Sequence, residues 1–447
     1  MALSAFRSWS QVQKLQADLM SLSCELTVLK ECLAEHGVLQ RETFLARLHS
    51  KRFAETSQAY PLGAKRAGAA QVLQTPELAM GIIQAAGVSS GQQVLATSRS
   101  NCKAADPVMK LVERASPSRI YVCGGFNGYE IFKHAEFLDV QDNVWQPLPP
   151  MSVARHRASA SMILGRLYVV GGQSGTQFLS TAERYDPRLN RWERLPDLQA
   201  ERAGAVAAPL HSQLLVCAGF DDINFLRSTE SFDPSTNQWQ TLPPMMWRQE
   251  GAAAVQLRCN LFLCGGFDGH NYLNKVEFFD VARMQWKKAP SLCDGRRSAA
   301  AISLNGKVIV CGGHQGARVL RSVECLDWNG NAWERLSPMA VKRRHATIAT
   351  VGGRLYVFGG ADKVQGLQQA EVFDFPGGQW KTLPDMSCKR EGAVVAAAAG
   401  RMYVVGGQDE LACHKTVECF DPEQSAWLPV PPMAYGRGTP VTGIATV

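Results

Sequence analysis

Basic side chains that could bind an anionic partner stand at one point of the sequence pattern, directly after an arginine that recurs along the chain. These side chains are His156, Arg157, Arg297, Arg344 and His345. A guanidinium group binds a carboxylate through two parallel hydrogen bonds, which makes the contact specific. The pattern therefore predicts basic patches that take a carboxylate-bearing peptide. Trp247 and Arg248 add an aromatic and basic pair of the kind enriched in interface hot spots.

Catalysis and metal binding would be the other uses of such residues. The sequence contains no Walker, HExxH or CxxC motif. His270 and His314 lie in loops of adjacent repeats, but two histidines do not make a metal site, and solvated loop residues are the better interpretation. We predict no catalytic residue, no metal and no cofactor. Tyr129, His270 and His314 join the predicted partner-binding set.

A repeat of 47 residues positions these side chains, and it occurs seven times without an insertion. The second glycine of a pair stands at Gly125, Gly172, Gly219, Gly266, Gly313, Gly360 and Gly407. A tryptophan keeps the same period at Trp145, Trp192, Trp239, Trp286, Trp333, Trp380 and Trp427. A glutamate, with an aspartate three residues later, does the same from Glu136 onward, and Arg155 stands 28 residues before Glu183. The arginine and glutamate spacing predicts a repeated structural ion pair.

Each repeat has the pattern of four short strands, for example over residues 158–164, 167–170, 182–185 and 192–195. A period in the forties with glycine and tryptophan markers is typical of a propeller, whose blades are four-stranded meanders. The array starts at Arg119 on a second strand and ends with a first strand at 438–447. We therefore expect the C-terminal strand to complete the first blade, because this pairs two open strand edges.

The order of the glycine pair, glutamate, aspartate, tryptophan and arginine resembles the kelch repeat over residues 119–447. The resemblance implies an all-β, seven-bladed kelch propeller closed by its C-terminal strand, with partners bound on the face that carries the loops between second and third strands. In kelch-like substrate adaptors, the second residue after the marker arginine is an arginine that grips acidic peptides. Arg157 matches that position, whereas Gly204, Gly251, Ser298 and His345 do not.

The resemblance implies a non-enzymatic adaptor or scaffold, with a ubiquitin-ligase substrate receptor as one role. The alternatives are an actin-associated bridging protein and a propeller enzyme such as a sugar epimerase. Many kelch-like proteins reach a ubiquitin ligase through a BTB domain, and no BTB pattern is recognisable before the repeats. Each loop taken singly is also consistent with a plain solvated turn.

The sequence pattern of the first 53 residues predicts an α-helical region. Its apolar residues alternate at spacings of three and four, as in the a and d positions of a short coiled coil. They are Val12, Leu15, Leu19, Leu22, Leu26, Leu29 and Leu33. Self-association as a homodimer is the favoured interpretation; the alternatives are docking into a partner's groove and packing on the helix's own domain. The composition of residues 54–118 predicts a flexible linker with short helices at 76–86 and 107–115.

Composition limits the partners and the compartment. The formal net charge of +7 on 48.9 kDa, without long Lys/Arg runs, predicts no nucleic-acid partner. No apolar run approaches membrane-spanning length, so we expect no membrane partner. The thirteen cysteines are an odd number, and four of them interchange with valine or phenylalanine in the repeat, as core residues do. We therefore expect a reduced chain in the cytoplasm, with the nucleus as the alternative.

Overall fold

The computed structural model describes residues 118–446, apart from 211, 258–259, 328–331, 376 and 439–440. The predicted helical region at 1–53, its coiled coil and all of the predicted linker except Ser118 lie outside the described residues. Ser118 opens the first strand of the propeller.

Seven antiparallel sheets of four strands make up the described structure, as the repeat predicts. Blade 1 contains β1 (Ser118–Cys123), β2 (Ala135–Asp139) and β3 (Val144–Leu148). Blade 2 contains β4 (Ser159–Ile163), β5 (Arg166–Val170), a small hairpin of β6 (Gln173–Ser174) and β7 (Gln177–Phe178), β8 (Ala182–Asp186) and β9 (Arg191–Arg194). Blade 3 contains β10 (Val206–Leu210), β11 (Gln213–Cys217), β12 (Thr229–Asp233) and β13 (Gln238–Leu242). Blade 4 contains β14 (Ala253–Leu257), β15 (Asn260–Cys264), β16 (Val276–Asp280) and β17 (Gln285–Ala289).

The remaining blades follow the same order. Blade 5 contains β18 (Ala300–Leu304), β19 (Lys307–Cys311), a small hairpin of β20 (His314–Gln315) and β21 (Arg318–Val319), β22 (Val323–Asp327) and β23 (Glu334–Leu336). Blade 6 contains β24 (Thr347–Val351), β25 (Arg354–Phe358), β26 (Ala370–Asp374) and β27 (Gln379–Thr382). Blade 7 contains β28 (Val394–Ala398), β29 (Arg401–Val405), β30 (Val417–Asp421) and β31 (Ala426–Val430).

The last strand, β32 (Val441–Thr446), closes the ring. It pairs with β1 in an antiparallel register from Ser118–Thr446 to Cys123–Val441, so that blade 1 has the order β3-β2-β1-β32. This confirms the closure expected from the phase of the two ends of the array. β1 is therefore not left as an open edge, which would expose unpaired backbone groups.

The hydrophobic core lies between neighbouring blades. Seven clusters occur among the described residues, one for each interface between blades; the cluster between blades 1 and 2, for instance, packs Tyr121 and Phe137 against Leu167 and Tyr185. The cysteines of the repeat belong to these clusters, and burial raises the pKa of the Cys123 thiol to about 12. They are core residues, as their interchange with valine predicts.

The glycine pairs are required by a close backbone approach. Gly171 has φ +61°, and a Cβ atom there would lie 2.4 Å from the carbonyl oxygen of Arg202. Only a residue without a side chain fits such a contact in the left-handed conformation. The repeated pair therefore lets the second strand meet the connection that enters the next blade.

A buried arginine and glutamate fix each connection to its blade, as the spacing of 28 residues predicts. Arg155 is fully buried, and its guanidinium donates to Glu183 at 2.8 Å and to the carbonyl oxygen of Gly171 at 2.8 Å. The other Glu183 oxygen accepts the backbone N–H of Ser152 at 2.7 Å. Equivalent pairs are Arg202–Glu230, Arg296–Glu324, Arg343–Glu371, Arg390–Glu418 and Arg437–Glu136. The connection into blade 4 differs, because Gln249 replaces the arginine opposite Glu277.

Candidate protein-binding site

The site predicted from the sequence lies where the connections between blades enter the inner strands. We use the name mouth for six pairs of residues, one pair from each of blades 2 to 7. These pairs are 156–157, 203–204, 250–251, 297–298, 344–345 and 391–392. The first residue of each pair bonds to the residue after the glycine pair of the same blade, as His156 does with Gln173. The second residues link successive blades: the N–H of His345 donates to the carbonyl of Ser298 at 3.0 Å, and the N–H of Gly392 donates to the carbonyl of His345 at 3.2 Å.

The backbone at the mouth favours glycine but does not always have it. The second residue of each pair is left-handed, and blades 3, 4 and 7 place Gly204, Gly251 and Gly392 there. Arg157, Ser298 and His345 adopt the same conformation with φ of 50°, 53° and 49°. A side chain in this region costs roughly 1–2 kcal/mol per residue relative to the right-handed form. Such strain clusters at functional sites, which supports a role for Arg157 and His345 at the mouth.

Glu250 joins two of the predicted arginines. One carboxylate oxygen accepts a hydrogen bond from Arg157 of blade 2, and the other accepts one from Arg297 of blade 5. The Glu250 side chain is 6% exposed, whereas the Arg157 and Arg297 side chains are 36% and 30% exposed. The structure therefore brings two of the three predicted arginines together around one internal carboxylate, with part of each guanidinium still open to solvent.

Glycine at the neighbouring mouth positions makes this arrangement possible. A Cβ atom on Gly204 would lie 2.9 Å from the nearer Glu250 oxygen, and a Cβ atom on Gly251 would lie 2.9 Å from the Arg297 side chain. Glu250 thus lies across blade 3, where no side chain blocks it, and reaches Arg157. The sequence shows these glycines, but their spatial relation to Glu250 depends on the curvature of the ring.

Arg344 and His345 form the second part of the mouth, together with Glu391. The Arg344 Nε lies 3.6 Å and the His345 Nε2 lies 3.9 Å from the same Glu391 oxygen. Across the mouth, three guanidiniums face two carboxylates, because Arg157, Arg297 and Arg344 meet Glu250 and Glu391. The balance is one positive charge, so the predicted patch is basic but largely neutralised within the protein.

The histidines at the mouth are held in their neutral form. Burial and the adjacent Arg157 lower the pKa of His156. Burial, together with Arg344 and Arg297, lowers the pKa of His314. Burial within the mouth and the neighbouring Arg344 lower the pKa of His345 to about 4. At neutral pH these rings therefore offer hydrogen-bonding and stacking surfaces rather than charge.

Aromatic rings extend from the mouth across blades 4 to 6. The Arg297 guanidinium lies over the Phe267 ring, 5.5 Å from its centre. Phe267 packs against Tyr272 at 4.9 Å between ring centres, and Tyr272 packs against His314 at 5.5 Å. His314 continues to His345 at 6.3 Å. The predicted residues His314, His345 and Arg297 thus belong to one aromatic and cationic surface, which is typical of interface hot spots.

Five loops on the same face share one tight turn that the sequence analysis did not identify. An Asn or Asp side chain accepts the backbone N–H groups two and three residues later, as Asp221 does with Ile223 and Asn224. The residue two positions after the Asn or Asp is turned outward. Large apolar examples are Tyr129, Ile223, Val364 and Leu411, which are 98%, 84%, 85% and 93% exposed. Of these only Tyr129 was predicted; the shared Asx position is the signal that finds the others.

The remaining predicted residues lie away from the mouth. His270 occupies the outward position of the blade 4 turn, held by Asp268. Trp247 lies in the connection to blade 4, where the Lys288 ammonium on the outer strand β17 is 5.9 Å from its ring centre. Arg248 is exposed beside it. The Trp247 ring of the predicted aromatic and basic pair therefore lies beside the outer strand of blade 4.

Comparison with known families identifies the repeat. The Kelch motif matches residues 115–152, 154–199, 201–246, 250–292, 295–340, 342–387 and 389–434, once for each blade. The chain belongs to the kelch-motif family. This confirms the resemblance inferred from the glycine, glutamate and tryptophan markers of the kelch repeat.

Solved structures confirm the fold and go no further. The structure titled "Structure of YjhT" matches with 15% sequence identity and a TM-score of 0.52, over 63% of this chain and 99% of that chain. In all, 1014 chains of solved structures match. At 15% identity, the likeness shows the fold alone. Among curated proteins, none matches this sequence significantly.

Within the described part of the chain, no helix combines the length and hydrophobicity needed to cross a bilayer. Among the same residues, no group of three or more His, Cys, Asp or Glu side chains is placed to hold a metal ion.

Proposed function

We propose that this kelch protein is a non-enzymatic adaptor or scaffold that binds a protein partner on the loop face of its propeller. The partner contributes an acidic segment to the mouth, where Arg157, Arg297 and Arg344 keep guanidinium donors open to solvent. The aromatic rings beside Arg297 and the apolar loop tips add contact area around the charged centre. A ubiquitin-ligase substrate receptor and a cytoskeletal bridge are the two assemblies that this adaptor would suit.

The observation that carries the proposal is the left-handed backbone at Arg157 and His345. Glycine would adopt this conformation without strain, and three other blades have glycine there. A stability penalty that is retained at these two positions favours a role for their side chains. Arg157 is also the residue that matches the peptide-gripping arginine of kelch-like adaptors.

The N-terminal region completes the proposal as an assembly element. A coiled coil through Leu22 and its heptad partners would make a homodimer, and two propellers would then bind a multivalent partner with avidity. Leu22→Pro is expected to give a monomer, measured as the solution mass of the full chain. A mass unchanged from the wild type would assign the helix another role.

Affinity capture with matched arginine variants tests the binding face. The full chain is compared with an Arg297→Gln and Arg344→Gln double variant, in which the new amide can still donate to Glu250 and Glu391. Arg283→Gln is the control, because Arg283 is 65% exposed in the turn between β16 and β17 on the opposite face. We expect proteins captured from cell lysate by the wild type to be retained by Arg283→Gln and lost by the double variant.

A competitor identifies the chemistry of the captured segment. Hexaglutamate is expected to release the captured proteins from the wild type, while hexalysine at the same ionic strength leaves them bound. Equal melting temperatures of the three proteins show that the fold is intact. If the double variant captures the same proteins with the same yield, the mouth is not the binding site.

A further inference from the structure

The interface between blades 4 and 5 contains a cavity of about 180 Å³. Its walls come from β14, β15, β16 and the end of β17 in blade 4, and from β19 and β22 in blade 5. Leu257, Phe262, Val308 and Leu326 form its buried part, whereas Phe278 and Ala289 are partly exposed. The cavity therefore extends from the core of this interface to the surface.

Three of the lining residues are smaller than their equivalents in the repeat. Ala289 occupies a position that holds leucine in five blades and valine in one. Val308 occupies a position that holds leucine in four blades, isoleucine in one and methionine in one. Leu326 occupies a position that holds phenylalanine or tyrosine in five blades and leucine in blade 1. The three reductions lie on β17, β19 and β22 and meet at one cavity.

The size and the walls of the cavity suit a single aromatic ring. An apolar cavity of about 150 Å³ is large enough to bind benzene. A cavity of about 180 Å³ therefore accepts one such ring with a small substituent. The rings of Phe262 and Phe278 lie against each other in its wall, with 5.1 Å between their centres. Another aromatic ring can pack on them in an offset or edge-to-face arrangement.

The polar groups of the lining are directed elsewhere. Lys288 is the one charged residue of the described lining, and its ammonium lies 5.9 Å from the centre of the Trp247 ring. The Pro290 carbonyl accepts the indole N–H of Trp333 at 2.8 Å. A charged or strongly polar ligand would give up its hydrogen bonds to water without replacement at these walls. The cavity therefore favours a ligand without charge.

We propose that the cavity between blades 4 and 5 binds a small, uncharged aromatic molecule of one ring. The ligand fills the space that the small side chains of Ala289, Val308 and Leu326 leave open, and it contacts the Phe262 and Phe278 rings. Binding is non-covalent, and none of the described lining residues belongs to the mouth. The site is thus additional to the proposed adaptor surface. Because the ligand packs between two blades of the folded chain, its binding should raise the melting temperature.

A titration with fluorobenzene tests the site in the full chain. The ¹⁹F signal of the probe reports binding by NMR, and the dissociation constant follows from the titration. We expect saturable binding to the wild type with a dissociation constant of about 1 mM or below. 4-Fluorobenzoate carries a negative charge on the same ring, and we expect it to bind more weakly by about tenfold or more.

Two variants fill the cavity with residues that other blades already have. Ala289→Leu should abolish fluorobenzene binding, and Val308→Leu, which adds a single methylene group, should weaken it by about threefold or more. Both variants should melt at the wild-type temperature or above, because they fill a gap in the core. Val308→Leu keeps the test intact if a leucine at position 289 disturbs the fold. Ala317→Leu is the control, since Ala317 is exposed in the hairpin of blade 5 and its variant should bind as the wild type does.

Two results would overturn the proposal. Fluorobenzene that does not saturate the wild type, or that binds both filled variants as tightly as the wild type, would make the cavity a gap in the packing. If fluorobenzene does not bind but Ala289→Leu loses proteins that the wild type captures, the cavity takes an apolar side chain of a protein partner instead.

Discussion

Glu277 is the one repeated glutamate that faces no arginine in the described structure. It is fully buried, and one of its oxygens accepts the side-chain amide of Gln249 at 3.2 Å. Its other oxygen accepts the backbone N–H of Met246 at 2.9 Å. Burial without a charged partner raises the pKa of this carboxyl to about 7. Replacing Gln249 with arginine should restore the ion pair that the other six blades have.

The size of the expected change in unfolding free energy follows from the difference in the Glu277 pKa between the folded and the unfolded chain. A pKa raised from 4.5 to about 7 means that the folded protein binds the proton more tightly than the unfolded protein does. The stabilisation is complete below pH 4.5 and is lost as the pH rises to about 7. At 1.4 kcal/mol per pH unit, the free energy of unfolding falls by about 3 kcal/mol across this interval.

Denaturant unfolding at pH 5, 6, 7 and 8 measures this loss. Each variant is compared with the wild type at the same pH, so that the titration of the mouth histidines cancels. For Gln249→Arg the gain in unfolding free energy should grow by about 2–3 kcal/mol from pH 5 to pH 8. Glu277→Gln removes the titrating group altogether and should show the same growth, whether or not an arginine fits at 249.

A gain that is the same at pH 5 and pH 8 for both variants would contradict this account. It would mean that Glu277 stays ionised in the folded protein at pH 5, held by its backbone donors alone. A gain that grows only for Glu277→Gln would keep the pKa argument and show that the connection into blade 4 has no room for an arginine.

Three further perturbations test the ring. Deleting residues 441–447 should lower the melting temperature far more than the loss of seven surface residues would, because blade 1 loses its innermost strand. An unchanged melting temperature would contradict the closure of the ring by this strand. Gly171→Ala should lower the free energy of unfolding by several kcal/mol, and Gly175→Ala should lower it by about 1 kcal/mol. Both glycines have φ near +60°, but only at Gly171 would a Cβ atom lie 2.4 Å from a backbone oxygen. Equal losses for the two variants would refute the close contact. Trp427→Phe removes the indole hydrogen bond to the Pro384 carbonyl, at 2.8 Å, and should lower the free energy of unfolding by about 1 kcal/mol. Unfolding midpoints measure this loss. An unchanged midpoint would show that water replaces the bond.

The propeller could be predicted from the sequence because its contacts repeat. A spacing of 28 residues places Arg155 beside Glu183 in the same blade, and the same spacing recurs in four more pairs. Arg437 and Glu136 form the sixth pair across the closure of the ring. The closing strand could be predicted as well, since the array begins and ends in different phases of the repeat. Each of these inferences needs only the period and the pairing of neighbouring strands.

The contacts of the mouth could not be predicted in this way. Glu250 reaches Arg157 across 93 residues and Arg297 across 47 residues, and both contacts depend on how the ring curves at its axis. They also require a glycine at the mouth position of blade 3. From the sequence, Arg157 and Arg297 are free cations; in the structure they share a carboxylate. The outward residues of the Asx turns were missed, although an Asn or Asp two residues after the second glycine marks each of these turns.

Departures from the repeat fall into two classes with opposite consequences. At Gln249 a core charge has been lost, which weakens the fold at neutral pH and leaves no side chain exposed for binding. At Arg157 and His345 a strained backbone is retained, and the side chains gain access to solvent at the axis, where all seven blades meet. The six intact arginine–glutamate pairs hold each connection whichever residue follows the arginine. The mouth can therefore vary from blade to blade without loss of the fold, and this freedom is what a recognition surface on a repeat protein requires.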